Sequence, residues 1–203
     1  MPTNTLAPQG LLIANNYYGA APTYQSTVFR IKSGYASAIG MNDAVKTLTG
    51  GDLGYVGLAT TADTSFLGVF GGILEGFYSS AIQGLSYGLN GSWVASTTSS
   101  DDILCTVITD PGAVFKAQVV GGPWEESWRG KNINFTSGTN GAPNFTGRST
   151  LSLDGASINT TPTLPFRIMG PAGVAGGLQD PANTNPWIFV KLNTAEMVNP
   201  TGI

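Results

Sequence analysis

Short runs of apolar and β-branched residues, separated by clusters of Gly, Pro, Asn and Ser, recur along the whole chain. Such runs, bounded by turn-forming residues, predict β-strands. In one of them, Val28 and Arg30 project to one side and Phe29 and Ile31 to the other, as in a strand with one buried face. Many short strands predict an all-β sandwich or barrel. The runs are Ser26–Ile31, Leu53–Leu58, Phe66–Phe70, Ser92–Ala95, Ile103–Ile108, Val114–Val120, Leu164–Met169 and Trp187–Leu192.

Signals for helix are few, so minimal helix is expected. Residues 44–48 follow Asn42 and Asp43, either of which caps a single helical turn. Residues 123–128 begin with proline, continue with two acids and carry two tryptophans four positions apart, which predicts a short helix.

Three segments have no strand or helix pattern. Residues 1–15 are predicted to form an N-terminal arm on a single β-rich domain, 16–203, and residues 170–186 a long loop rich in Gly and Pro. Two Asn-Phe-Thr tripeptides within residues 131–148 predict the edges of one hairpin, and Asp154-Gly155 predicts another turn. Arms and loops with so little charge are expected to be ordered against a neighbouring subunit.

Charge and composition exclude several classes of function. Charged residues make up 10% of the 203 residues, with 9 basic against 12 acidic and a net charge of −3. So few cations cannot neutralise many phosphates, so no nucleic-acid partner is expected. The chain has no histidine, which removes imidazole triads and most transition-metal sites. No metal, no cofactor and no enzymatic activity are predicted.

The remaining reactive side chains have structural interpretations. Cys105 lies within an apolar strand, where a thiol is inert, and a lone cysteine forms no internal disulfide. The pairs Asp101-Asp102 and Glu125-Glu126 suit a turn and a helix start, and adjacency in sequence does not supply the spacing of glycosidase carboxylates. A glycosidase therefore remains a minor alternative.

The first residues lack the basic and apolar segments of a signal peptide, and no apolar run is long enough to cross a bilayer. A protein made in the cytoplasm, with no membrane partner, is expected. Its tyrosines lie among Asn, Ser and Gly, a setting that is compatible with core packing, a subunit interface or stacking on sugars.

Three blocks of sequence carry a family resemblance. They are Asn16–Tyr24 with the strand Thr27–Ile31; Phe66–Gly72 with Thr109–Gln118; and Thr146–Asp154 with Leu164–Ile168 and Asn185–Asn193. In this order and spacing the chain resembles the capsid decoration (cement) proteins of tailed bacteriophages. It departs from their pattern at residues 123–129, where tryptophans replace small residues. The resemblance implies a β-rich protein that binds the outer capsid surface as a symmetric oligomer, and it supplies no active-site residues.

The expected function is therefore structural: a virion protein on the outer capsid surface that cements neighbouring capsomers and stabilises the head. The expected partners are the major capsid protein and further copies of the chain, as a dimer or trimer. The alternative is a carbohydrate-binding virion module such as a head fibre or adhesin. Arg30, Arg167 and Lys191 flank apolar strand residues and are expected to pair with acids on the shell. The other residues predicted at the interface are Tyr17, Tyr18, Tyr24, Pro171, Pro181 and Pro186.

Overall fold

The structure, a computed structural model, describes residues 4–14, 25–52, 54–75, 77–79, 84–86, 91–93, 102–136, 147–173 and 180–196. In this part of the chain almost all regular structure is strand, and the helical residues are those of the 3₁₀ turns Gly50–Asp52 and Glu126–Trp128 and the 3₁₀ residue Glu196. The predicted all-β fold is confirmed. The strands are β1 (Leu12–Ile13), β2 (Ser26–Ile31), β3 (Ala44–Thr47), β4 (Val56–Leu58), β5 (Gly68–Ile73), β6 (Phe77–Ser79), β7 (Gly84–Ser86), β8 (Ile103–Ile108), β9 (Val114–Val120), β10 (Asn132–Thr136), β11 (Ser152–Asn159), β12 (Phe166–Pro171) and β13 (Trp187–Leu192).

The later strands form a closed ring, here called the C-terminal ring. Its order is β9-β11-β10-β12-β13, and β13 returns to pair with β9, while β1 adds to the edge of β9 that β11 leaves open. Alternate residues of each strand point inward and fill the ring, as expected for a barrel of this size. The buried apolar side chains contributed by these strands are Phe115, Ala117, Val119, Ile133, Phe135, Leu153, Phe166, Ile168, Ile188, Val190 and Leu192.

The earlier strands form a second ring, the N-terminal ring. Its order is β2-β8-β5-β3-β4, and a parallel bridge between Arg30 and Tyr55 brings its two ends together. The indole of Trp93, which is fully buried, donates its N–H to the carbonyl of Tyr35 at 3.0 Å. Strands β6 and β7 form a separate two-stranded sheet. The buried apolar side chains of the N-terminal ring are Ile31, Ile39, Val45, Val56, Leu67, Phe70, Trp93, Ile103, Cys105 and Val107.

The two rings pack through a shared apolar cluster. Phe66, two residues before β5 of the N-terminal ring, lies among the buried residues of the C-terminal ring, with its ring centroid 5.7 Å from that of Phe135 and 6.1 Å from that of Phe166. Its backbone N–H donates to the carbonyl of Thr194, and its carbonyl accepts from the N–H of Glu196. Aromatic side chains bury large areas, so this contact is a main source of cohesion between the rings.

A buried carboxyl, that of Asp43, marks the junction between β3 and the segment 147–151. It is 1% exposed, and it accepts a hydrogen bond from the N–H of Gly40 at 2.6 Å and another from the hydroxyl of Ser149. The Ser149 hydroxyl also accepts from the N–H of Leu151 at 3.0 Å. Burial raises the pKa of Asp43 from its ordinary 3.8 to about 7, although both hydrogen bonds act to lower it.

Residues 4–14 are ordered by contacts within their own chain. The N–H of Ala7 donates to the buried Gln118 side chain at 2.9 Å, and the Gln118 amide donates to the carbonyl of Thr5 at 2.8 Å. The Asn4 amide donates to the carbonyls of Asp180 and Asn185. This part of the predicted arm therefore runs along β9 and reaches the end of the predicted loop.

Two local predictions are wrong. Residues 44–47 form strand β3 and not a helical turn, because pairing with β4 and β5 buries Ala44 against one ring and Val45 inside the other. Asp154-Gly155 lies inside β11 and not at a turn. A Cβ at Gly155 would stand 2.6 Å from the carbonyl oxygen of Val120, so glycine is there for close backbone approach.

Two further predictions concern residues 123–148. The short helix at residues 123–128 is a single 3₁₀ turn, Glu126–Trp128. Of the predicted hairpin within residues 131–148, the first tripeptide lies in β10, which pairs with β11 and β12. The second, residues 144–146, lies outside the described residues, so that hairpin stays a prediction.

The substitution Asp43→Asn should remove a specific pH dependence of stability. The folded chain keeps the Asp43 proton up to about pH 7, whereas the unfolded chain releases it near 3.8. The free energy of unfolding of the wild type therefore falls as pH rises through this window, by about 4 kcal/mol at most. Urea denaturation at several pH values measures this effect. The free energy of unfolding of the wild type minus that of Asp43→Asn should fall as pH rises.

Asp63→Asn is the matched control. Burial acts to raise the pKa of Asp63, but hydrogen bonds from Lys46 and Thr60 outweigh it and leave the pKa below its ordinary value. The stabilisation that ionised Asp63 contributes is present at neutral pH and is lost as pH falls through the acid range. The difference in free energy of unfolding between wild type and Asp63→Asn should therefore change at lower pH than for Asp43→Asn, and with the opposite sign. A pH-independent difference for Asp43→Asn would contradict the assignment.

Candidate functional site

Two cations stand directly opposite each other on the outer face of the C-terminal ring. Arg167 on β12 pairs in register with Lys191 on β13, and paired residues of antiparallel strands point to the same side. The outward direction of both side chains follows from strand alternation, since the residues before and after each of them are directed into the ring. Arg167 is exposed and donates from Nε to the Asn132 side-chain oxygen at 3.3 Å. We call Arg167 and Lys191 the basic pair.

The row of residues that contains the basic pair has no acidic member. It runs across five strands through Val114, Lys191, Arg167, Asn132 and Asn159. Like charges directly opposite on a sheet repel each other and reduce stability. The row itself therefore supplies no carboxylate to offset the repulsion between the two cations.

A cluster of two tryptophans and an arginine lies beside β12. The rings of Trp124 and Trp128 meet edge to face with centroids 5.6 Å apart, and the Arg129 guanidinium lies 5.9 Å from the Trp124 centroid. Both indoles are partly exposed while packing against the apolar cluster of the C-terminal ring. We call these three residues the Trp/Arg cluster.

Arg129 connects the Trp/Arg cluster to β12. Its Nη1 donates to the carbonyl of Met169 at 2.8 Å, two residues along the strand from Arg167. Glu126 pairs with its guanidinium, and that hydrogen bond lowers the pKa of Glu126. A Cβ at Gly170 would stand 2.7 Å from Arg129 Nη1, so a glycine leaves room for the guanidinium. We call the basic pair and the Trp/Arg cluster, which are both attached to β12, together the basic face.

A third cation of this ring, Lys116 on β9, sits over an aromatic ring. Its ammonium lies 5.1 Å from the centroid of Trp187, which is 7% exposed. Burial lowers the pKa of Lys116. Cation–π attraction of this kind holds a partly buried ammonium in place, so Lys116 supports the sheet beside the basic pair.

The structure brings some of the predicted interface residues together. Pro171 ends β12, and Pro181 accepts the backbone N–H of Trp124 at 2.8 Å, so both lie next to the basic face. Pro186 is buried, and its carbonyl accepts the N–H of Val119 at 2.9 Å, so it joins the start of β13 to β9.

Other predicted interface residues lie elsewhere. Arg30 is exposed on the N-terminal ring and is not part of the basic face. Tyr17, Tyr18 and Tyr24 lie outside the described residues, and their role stays a prediction.

A polar cleft of about 270 Å³ was not foreseen from the sequence. It is lined by the carboxylates of Asp63 and of the buried Glu196. The Asp63 carboxylate forms an ion pair with the Lys46 ammonium at 2.6 Å. The Glu196 carboxylate accepts hydrogen bonds from the N–H of Thr47 at 3.2 Å and from its hydroxyl at 2.6 Å. The lowered pKa of Asp63 does not suit a general acid, which needs a raised one. Both carboxylates are engaged in bonds that join chain segments, which favours a structural role for the cleft.

The remaining reactive side chains have structural surroundings as well. Burial raises the pKa of the Cys105 thiol to about 12, so the thiolate form is suppressed. Asp102 accepts from the Tyr55 hydroxyl at 2.7 Å and the Ser33 N–H at 3.0 Å, which lowers its pKa. Within the described ranges no three His, Cys, Asp or Glu side chains are grouped to hold a metal ion.

Comparisons with protein-family models, with curated proteins and with solved structures find no match to this chain. The resemblance to capsid decoration proteins therefore remains a prediction. In the part of the chain that the structure describes, no helix has the length and apolar character needed to span a membrane.

Lys191→Gln should stabilise the isolated protein, because it removes the like-charge contact with Arg167. The expected gain in free energy of unfolding at low salt is about 0.5 kcal/mol, and it should shrink as salt screens the repulsion. Urea denaturation at low and high ionic strength measures it. Arg148→Gln, which removes an exposed cation on another segment, is the control and should not reproduce the salt-dependent gain. Destabilisation by Lys191→Gln at low salt would contradict the repulsion.

Proposed function

We propose that this chain is a structural virion protein that binds the outer surface of a phage capsid through its basic face and cements neighbouring capsomers. The observation that carries the proposal is the basic pair, Arg167 opposite Lys191, together with the partly exposed Trp124 and Trp128, which are joined to the same strand through Arg129. Arginine and tryptophan are enriched among the residues that dominate protein–protein binding energy.

The position of the basic face supports a binding role. The basic pair stands on two hydrogen-bonded strands of a closed ring, with the Trp/Arg cluster tied to one of them through Arg129. Side chains on paired strands have little backbone freedom left to lose when a partner binds, and pre-organisation of this kind increases affinity. The partner best suited to the face is a protein surface that presents carboxylates.

A capsid lattice multiplies such contacts. A shell repeats each of its surfaces many times, so modest contacts in each copy add up when one subunit, or an oligomer of subunits, spans neighbouring capsomers. Binding to the assembled shell and not to free capsid protein stabilises the shell by mass action. This mechanism needs no chemical step, and a non-enzymatic role is part of the proposal.

A carbohydrate-binding function is the second candidate, favoured by the pair of partly exposed tryptophans. Indole faces stack on sugar rings, and Glu125 and Glu126 beside them are exposed acceptors for sugar hydroxyls. In this case the basic pair would be dispensable, whereas in capsid binding it is central.

Purified capsids that lack this protein provide the test. Wild-type protein should co-sediment with them and raise the temperature at which the particles break. The double variant Arg167→Gln/Lys191→Gln should bind about tenfold more weakly at low salt, since two surface ion pairs contribute about 0.7 kcal/mol each. Arg148→Gln, the control for net charge, should bind like the wild type.

The outcomes separate the candidates. No co-sedimentation of wild type overturns the capsid proposal, and equal binding of the double variant overturns the role of the basic pair. Binding to host surface polysaccharide that Trp124→Ala abolishes and the double variant retains would favour the carbohydrate function.

A further inference from the structure

We propose that the polar cleft is a binding site for one cationic side chain, a lysine or an arginine, on the surface of a partner protein. The cleft is lined by residues 46–49 and 62–65 and by Glu196. The bonds of Asp63 and Glu196 that join chain segments leave one of these two carboxylates without a cation, and the inference rests on that carboxylate. It does not depend on the capsid proposal.

The Glu196 carboxylate is fixed in place where β3 extends past β5. Strand β5 pairs with the first two residues of β3, and just before β5 the backbone of Phe66 bonds to Thr194 and Glu196. At Thr47 the Glu196 side chain takes the place of a strand, because its carboxylate accepts the N–H at 3.2 Å and the hydroxyl at 2.6 Å. The acid is therefore held in one position before any partner arrives.

Among the described residues, no lysine or arginine forms an ion pair with Glu196. All nine lysines and arginines lie in the part of the chain that the structure describes, and the three ion pairs found there do not include Glu196. Its carboxylate is held by the N–H and hydroxyl of Thr47, which are neutral, and the residue is 8% exposed. Burial of a carboxylate without a counter-charge is unfavourable, and an incoming cation removes that cost.

Lys46, the cation that lines the cleft, is already engaged. Its ammonium lies 2.6 Å from Oδ1 of Asp63, while Oδ2 of Asp63 accepts the N–H of Thr60 at 2.6 Å and its hydroxyl at 2.8 Å. A turn of Lys46 toward Glu196 would take the ion pair from Asp63. The charged groups that line the cleft, one cation and two carboxylates, therefore sum to −1, and the uncompensated charge is that of Glu196.

The size and lining of the cleft suit a single long side chain. Its volume of about 270 Å³ lies just below the ~300–1,000 Å³ of small-molecule pockets. Thr49 and Thr64 are exposed, whereas Glu196 is buried, so the threonines lie nearer to solvent than the carboxylate. Lysine and arginine have the matching arrangement, because an alkyl stem carries their charge to the inner end. There the cation forms charge-assisted hydrogen bonds with the carboxylate.

A protein side chain is a better occupant than a free amine. A single ion pair stabilises a complex only weakly, and a small free ion loses its translational freedom for that one contact. A side chain on a folded partner shares this cost with the rest of an interface. Charged contacts of this kind fix the register of two surfaces, so the cleft acts as a specificity pocket within a larger contact surface.

NMR titration of isotope-labelled protein with short blocked peptides tests the site. The peptides are Gly-Gly-Lys-Gly-Gly, the same sequence with arginine in the middle, and the same sequence with glutamine as the neutral control. The amide signal of Thr47 reports directly, because its N–H donates to Glu196. The lysine and arginine peptides should shift this signal with dissociation constants in the millimolar range, whereas the glutamine peptide should leave it unchanged.

The variant Glu196→Gln keeps an oxygen for the hydrogen bonds from Thr47 and removes the charge. It should weaken binding of the lysine peptide by about tenfold or more. Glu75→Gln is the matched control, because Glu75 is an exposed carboxylate that also accepts a backbone N–H, that of Leu104 at 3.1 Å. It should bind the lysine peptide like the wild type.

Thr64→Trp tests the cleft without changing its charge. Thr64 is exposed, so an indole at this position is compatible with the fold and fills the space in front of Glu196. This variant should lose binding of the lysine peptide, and circular dichroism should show that it is folded.

Four results would overturn the proposal. The first is a Thr47 signal that neither cationic peptide shifts. The second is a folded Glu196→Gln protein that binds the lysine peptide as tightly as the wild type does. The third is unchanged binding by Thr64→Trp, which decides the matter if Glu196→Gln does not fold. The fourth is methylammonium ion bound as tightly as the lysine peptide, which would make the cleft a site for free amines.

Discussion

Strand β9 divides its two edges among three other strands, and most of the structure depends on this division. One edge pairs with β13 from Val114 to Gln118, and the other pairs with β1 at Phe115 and Lys116 and with β11 at Val119 and Val120. Closing the ring gives β9 partners on both of its edges, which removes much of this strand as a template for aggregation. Because β13 carries half of the basic pair and β1 fixes the N-terminal segment, a change in the register of β9 would displace both.

Alternation of apolar and polar residues along the chain predicts those strands that direct one face into a ring and the other face outward. Strands β2, β8, β9 and β13 have the predicted bounds for this reason. Strand β3 escaped prediction because Ala44 and Val45 are both buried, one against each ring, so no polar face remains to show the period. Strand β11 escaped because Gly155 resembles a turn residue, whereas its role depends on a neighbour, Val120, that is distant in sequence.

The sequence predicted single residues of the candidate site, but it did not predict which of them are neighbours on the surface. Alternation places Arg167 and Lys191 outward, yet only the register of β12 on β13 makes them neighbours, and register depends on a bulge near Gly170 and on a connection that local pattern does not determine. The polar cleft is harder still, because Asp63 and Glu196 come from segments that meet only after both rings have formed.

Because charged residues are few on this protein, the electrostatic potential at a point on its surface depends on the nearest charged groups and not on the net charge. Attraction and repulsion between exposed charges fade over a Debye length, about 8 Å at physiological salt, so a distant acid on the same chain does not compensate the basic pair. The three ion pairs found among the described residues, Lys32–Asp52, Lys46–Asp63 and Arg129–Glu126, also neutralise their own cations locally. A protein with a net charge of −3 therefore presents a basic surface at Arg167 and Lys191. A partner's carboxylate placed there interacts favourably with both cations and relieves their mutual repulsion, so the contact that weakens the free chain strengthens the complex.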